Sequence, residues 1–100
     1  MLAPLACTDT VPAFRIVARQ GSILSIVVTE RVAADDGALL KIADSLIPTT
    51  PGRAVQLQVW TDPRMVPERI LDATDAQLGA RRALVTVNIN TGFRKVESRQ

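Results

Sequence analysis

The sequence predicts an α+β fold, a two-layer sandwich in which a four- or five-stranded mixed sheet carries one or two helices on one face. Three observations predict it: two alternating segments around a glycine, one segment with helical periodicity, and further alternating segments after it. The chain has 100 residues and 47% hydrophobic residues, which suits a single folded domain. We expect a domain over residues 13–97, between an N-terminal tail (1–12) and a C-terminal tail (98–100).

The first two strands are predicted to form an antiparallel hairpin. Residues 13–19 alternate, with Phe14, Ile16 and Ala18 on one face and Arg15, Val17 and Arg19 on the other. Gln20-Gly21 follows, and glycine supplies the positive φ that a tight hairpin turn needs. Residues 22–29 are rich in β-branched side chains, which favour a strand.

The clearest helix follows this hairpin. Asp35 or Asp36 caps it by accepting hydrogen bonds from free N–H groups. Pro48 ends it, because proline disfavours helical geometry in the residue before it. One apolar stripe along the helix contains Leu39, Leu40, Ala43, Leu46 and Ile47.

The second half of the chain predicts two or three strands and a short helix. Residues 54–61 and 83–90 alternate cleanly, and Pro67 favours a helix start near residues 67–77. Asn90-Thr91-Gly92 is typical of a hairpin turn, with residues 93–96 as a short edge strand. The apolar phase of each element predicts a core that contains Ile16, Leu39, Ala43, Leu57, Val59, Val85 and Val87.

Composition excludes much catalytic chemistry. The chain has no histidine and one cysteine, Cys7, so it holds no Ser-His-Asp triad, no Cys-His pair and no ordinary zinc site. It also has no phosphate loop and no dinucleotide fingerprint. We therefore expect no catalytic residues, no cofactor and no metal, and a protein that is not an enzyme.

The N-terminus and one turn carry the only resemblances to known families. The small and apolar residues before Cys7 resemble the end of a bacterial lipoprotein signal, which implies lipidation of Cys7 and an extracytoplasmic location; otherwise the chain is cytoplasmic. The order hairpin, helix, strand, strand and the motif Asn88-Ile89-Asn90-Thr91-Gly92 resemble small bacterial α+β families of unknown function, often lipoprotein-associated.

The sheet face opposite the helices is the predicted interaction face. Tryptophan and arginine are enriched at interface hot spots, so an exposed Trp60 with Arg15 or Arg19 at its rim predicts binding of a protein, including a second copy. An ordinary solvated face is the alternative. Strand alternation places on this face Arg15, Arg19, Gln56, Gln58, Trp60, Thr86 and Asn88.

Two other functions compete with protein binding. A small ligand-binding or enzyme domain would use the carboxylates of Glu68, Asp72 and Asp75, or Lys41 if this lysine is buried. A nucleic-acid-associated domain would use scattered cations, although a net charge of +2 and one aromatic on the face argue against nucleic acid as a partner. Those cations are Arg15, Arg19, Arg81, Arg82, Arg94 and Lys95.

Overall fold

The computed structural model describes residues 11–98 and contains one five-stranded sheet. The strands lie in the order β1-β2-β3-β4-β5, and only the β2–β3 pair is parallel. The mixed sheet and its helices confirm the predicted α+β sandwich. The strands are β1 (Arg15–Gln20), β2 (Ile23–Val27), β3 (Ala54–Trp60), β4 (Ala83–Asn88) and β5 (Phe93–Ser98).

Glycines at positive φ close both hairpins, as the sequence predicts. Gly21 (φ 62°) joins β1 to β2, and Gly92 (φ 75°) joins β4 to β5. A residue with a Cβ atom pays a steric cost at such φ values, whereas glycine does not. The edge strand β5 is longer than predicted and extends to Ser98.

Two helices fill the crossover from β2 to the parallel strand β3. They are α1 (Glu30–Ala33) and α2 (Asp36–Leu46). Asp35 caps α2 by accepting a hydrogen bond from the N–H of Ala38 (3.1 Å), which confirms one of the two predicted caps. The sequence analysis missed α1, whose signal is a threonine cap: the Thr29 hydroxyl accepts from the N–H of Val32 (3.3 Å).

The hydrophobic core lies between α2 and one face of the sheet. The fully buried residues of the sheet include Leu57 and Val59 of β3 and Val85 and Val87 of β4. The buried residues of α2 are Leu39, Ile42, Ala43 and Leu46. Six of the seven predicted core residues are therefore confirmed.

Ile16 is the exception, because it lies on the edge strand β1 and is 38% exposed. Its partner across the hairpin, Ile26, is fully buried and faces α2. Ile16 thus points toward the core side, but the helices do not cover this end of the sheet enough to bury it.

A third helical region crosses the other face of the sheet. The predicted helix at 67–77 is wrong in its bounds, because this region contains the 3₁₀ turn Ile70–Asp72 followed by α3 (Asp75–Ala80). The start of α3 is fixed by a capping box: the Thr74 hydroxyl accepts from the N–H of Gln77 (3.1 Å), and the Gln77 side chain accepts from the N–H of Thr74 (2.9 Å).

Replacing Leu57 by alanine tests the placement of β3 in the core. Leu57→Ala should lower the free energy of unfolding by about 2–5 kcal/mol, the range for truncation of a buried leucine. Leu71→Ala is the matched control, since Leu71 is 88% exposed and its truncation opens no cavity. Chemical denaturation of both variants measures the difference, and an unchanged Leu57→Ala midpoint would contradict this core.

Candidate functional site

The sheet face opposite α2 is divided into a covered half and an open half. Residues 61–82, here called the covering segment, cross this face and bury Trp60 completely (0% exposed). The indole Nε1–H donates to the backbone carbonyl of Gln77 (2.9 Å). The side chain of Gln20 holds the same segment from β1 by accepting the N–H of Ile70 (2.9 Å).

The expectation of an exposed Trp60 at the centre of an interaction face is wrong. The predicted phase of β3 is nevertheless right, since Val55, Leu57 and Val59 belong to the core under α2 and Trp60 points the other way. The sequence analysis assumed that only one face of the sheet carries helical structure. At Trp60 both faces are covered, so the strand is buried from two sides.

Arg15 and Arg19 do not share a face, contrary to the prediction. The pairing of β1 with β2 shifts register between Ile16 and Ala18, which marks a β-bulge. One extra residue reverses the alternation beyond it. Arg15 therefore pairs with Val27 on the Trp60 side, whereas Arg19 lies on the α2 side and donates to the backbone carbonyl of Thr49 (3.2 Å).

A chain of polar side chains borders the covered half. Gln58 is buried (4% exposed) and donates from Nε2 to Oε1 of Gln56 (3.0 Å). Its own Oε1 accepts a hydrogen bond from Arg81. A buried amide needs such partners, because an unpaired one is costly. Arg81 thus fixes the orientation of the two glutamines, a role that sequence reasoning missed because residues 58 and 81 are distant in the chain.

The open half, here called the open face, lies on β3, β4 and β5. Register places Gln56 beside Thr86 and Thr86 beside Lys95, so three polar side chains form one row across the strands. A neighbouring row places Asn88 beside Phe93, which is 49% exposed. The open face consists of Gln56, Leu84, Thr86, Asn88, Phe93, Lys95 and Glu97.

The depressions on this face are shallow. One of about 310 Å³ is lined in part by Gln56, Thr86 and Asn88, and another of about 230 Å³ is lined in part by Arg81 and Glu97. Of the predicted interaction residues, Gln56, Thr86 and Asn88 lie together on the open face. Trp60 and Gln58 are buried, so they are not available on this face. Arg15 and Arg19 lie on β1, away from the open face.

Several cations of the candidate nucleic-acid set are held in ion pairs. Arg82 donates to Glu30, and Arg94 donates to Asp44 (2.7 Å). The carboxylate of Asp44 raises the pKa of Arg94 above its ordinary value, mainly through this hydrogen bond. Arg94 also lies on the α2 side of the sheet, whereas Lys95 lies on the other side. The cations are therefore divided between two faces.

Two of the three candidate carboxylates, Glu68 and Asp72, line one open depression of about 210 Å³ together with Arg69, and Asp75 does not line it. Asp72 lies in a 3₁₀ turn beside Arg69 (3.7 Å), whereas Asp75 begins α3, so the predicted shared helix face is absent. Within residues 11–98, no group of three or more His, Cys, Asp or Glu side chains is placed to hold a metal ion. Lys41 is exposed on α2.

Comparison with protein-family models, curated proteins and solved structures finds no match to this chain. The resemblance to small bacterial α+β families stays a prediction, and Cys7 lies outside the described residues. Among the residues that the structure does describe, no helix combines the length and the apolar character needed to cross a membrane.

Trp60 should behave as a buried indole in solution. It is the only tryptophan in the chain, so its fluorescence reports directly on the covering segment. We expect blue-shifted emission and weak quenching by iodide. Trp60→Phe should cost roughly 1–3 kcal/mol of folding free energy, because the partly buried Gln77 carbonyl loses its donor and the smaller ring fills the buried indole site less completely. Phe93→Leu, at an exposed position, is the control; strong iodide quenching of the folded protein would contradict the burial.

Glu30 should make stability depend on pH. The pKa of Glu30 is lowered from its ordinary 4.5, first by the hydrogen bond from Arg82 and then by that from Thr61 (2.9 Å). Its contribution is therefore present above the unfolded-state pKa and lost as the pH falls through the folded-state pKa. Glu30→Gln should lower the thermal midpoint at pH 7, and the difference from wild type should shrink below pH 4.5.

Glu68→Gln is the matched control for this pH series, because Glu68 is an exposed residue of the covering segment. Its thermal midpoint should follow the wild type at both pH values. A Glu30→Gln difference that stays constant from pH 7 to the acid range would contradict the role of the charged carboxylate.

Proposed function

We propose that the chain is a non-enzymatic protein-interaction module and that the open face is its contact surface. The observation that carries this proposal is the uncovered half of the sheet face opposite α2, which lies beside the half that residues 61–82 cover at Trp60. The strands β3, β4 and β5 pair in regular antiparallel register, so the amide, hydroxyl and aromatic groups of the open half are regularly spaced.

The chemistry of the open face supports protein as the partner. Phe93 supplies exposed aromatic surface, while Gln56, Thr86 and Asn88 supply hydrogen-bonding groups around it. Protein interfaces commonly combine an aromatic anchor with a polar rim. Lys95 and Glu97 carry opposite charges 3.7 Å apart, so the face offers no single sign of charge to a polyanion.

Small-molecule binding has weaker support. Ligand pockets are usually enclosed and mostly apolar, with a few converging polar groups. The depressions on the open face are shallow instead, and a flat surface suits a macromolecule. The proposal is independent of lipid on Cys7, which would only place the same surface outside the cytoplasm.

Site-specific photo-cross-linking in the native cell tests this proposal. Benzoylphenylalanine at position 93 should give a discrete adduct, whereas the same group at position 71, on the exposed covering segment, should not. Thr86→Arg should abolish the adduct from position 93, because a bulky cation in the middle of the face blocks close approach. Equal adducts from both positions, or an adduct that survives Thr86→Arg, would contradict the open face as the contact surface.

A further inference from the structure

The outer edge of β5 is regular and unpaired in the described chain. Six consecutive residues pair with β4 without a bulge, from Phe93 opposite Asn88 to Ser98 opposite Ala83. Among residues 11–98 no strand lies beyond β5, and of its residues only Val96 is half-buried. Such an edge presents a row of free backbone N–H and C=O groups that a further strand can pair with.

The opposite edge of the sheet is protected. The bulge in β1 between Ile16 and Ala18 interrupts its pairing pattern. Bulges at sheet edges prevent pairing with an added strand, because they twist the edge and break the regular spacing of its backbone groups. The two edges therefore differ, and β5 is the one suited to accept a strand.

Two β5 strands that pair in antiparallel orientation bring opposite charges together. In an antiparallel pair of two β5 strands with Val96 opposite Val96, Lys95 of each copy lies opposite Glu97 of the other. Directly opposite residues lie on the same face, so both pairs form on the continuous open side of the sheet. Moving the centre by one residue would place Lys95 opposite Lys95, or Glu97 opposite Glu97, and either arrangement repels.

Helix α2 runs along β5 and completes the contact on the other side. Asp36 accepts a hydrogen bond from the Ser98 hydroxyl (3.0 Å), and Asp44 accepts one from Arg94 (2.7 Å). Eight helical residues rise about 12 Å, and four strand residues span about 13 Å. The helix from Asp36 to Asp44 and the strand from Ser98 to Arg94 therefore have nearly the same length.

This match places Leu40, midway between the two aspartates, above Val96. Both side chains are only partly buried and pack against the core cluster. A second copy centred on Val96 would bring two leucines and two valines together at the symmetry axis. Arg94 of one copy would then lie opposite Ser98 of the other, close to Asp36, so opposite charges flank the apolar centre.

We infer that two copies of this chain associate through antiparallel pairing of β5 with β5 about a two-fold axis at Val96. The contact joins both sheets into one of ten strands. An isologous contact of this kind uses the same surface on both copies, so each favourable pair occurs twice. This dimer uses the edge of the sheet, whereas the proposed function uses its face.

Charge exchange tests the dimer and its register. In a Cys7→Ser background, sedimentation velocity across a wide concentration range should show a monomer–dimer equilibrium. Lys95→Glu and Glu97→Lys should each raise the dimer dissociation constant about tenfold or more, because each creates two like-charge pairs between the copies. The double variant should restore wild-type affinity. A strictly monomeric wild type, or a double variant that dimerises no better than the single ones, would overturn the inference.

Cross-linking locates the axis independently. Directly opposite Cα atoms in antiparallel strands lie about 4.5–5.5 Å apart, within disulfide range. In the same background, Val96→Cys should therefore form a covalent dimer on mild oxidation. Val17→Cys, on the protected β1 edge, is the control and should stay largely monomeric. Equal rates for the two would overturn the β5 contact, and circular dichroism checks that every variant is folded.

Failure of the dimer is distinguishable from failure of the proposed function. An adduct from position 93 that identifies a different protein and responds to Thr86→Arg but not to Lys95→Glu supports the open face alone. A dimer that responds to the charge exchange, without any adduct sensitive to Thr86→Arg, supports the edge alone.

Discussion

The hydrogen bond from the Trp60 indole to the carbonyl of Gln77 connects the sheet to the covering segment, and much of the architecture depends on it. The segment is long and has little regular structure, so few of its own backbone hydrogen bonds hold it in place. The indole provides a large apolar surface for it to cover and one donor that fixes where it lies. With the second contact from Gln20, this bond turns a two-layer sandwich into one that is locally covered on both sides.

This arrangement also determines which surfaces remain available. Because the covering segment ends near β4, the strands β4 and β5 keep one face open. The helix α2 protects the other face of the same strands and extends as far as the edge. The surface left over is a strip formed by the open face and the outer edge of β5, and both proposals concern this strip.

The sequence predicted the fold well because β1, β3 and β4 alternate, β2 is rich in β-branched residues, and glycines mark both hairpin turns. It predicted the site less well. The burial of Trp60 depends on the covering segment, whose helix α3 is capped by Thr74. The sequence analysis predicted an earlier start for this helix, because Pro67 is typical of a first helical turn. The capping box of Thr74 and Gln77 was legible in the sequence and would have placed α3 correctly.

Other features had no local signal. The bulge in β1 that separates Arg15 from Arg19 follows from how β1 pairs with β2, and no single residue type requires it. The contact of Arg81 with Gln58 joins residues 23 positions apart, and only the folded sheet brings them together. Alternation predicts which side of a strand a residue lies on, but it does not predict what covers that side.

The bulge in β1 has a consequence for the size of any assembly. A sheet with two accepting edges can add copies at both ends and grow into a fibre, whereas a sheet with one accepting edge cannot. Pairing of β5 with β5 uses the accepting edge of both copies at once and leaves a bulged edge at each end. The chain would therefore close at two copies, and the irregularity in β1 acts as a terminator of growth.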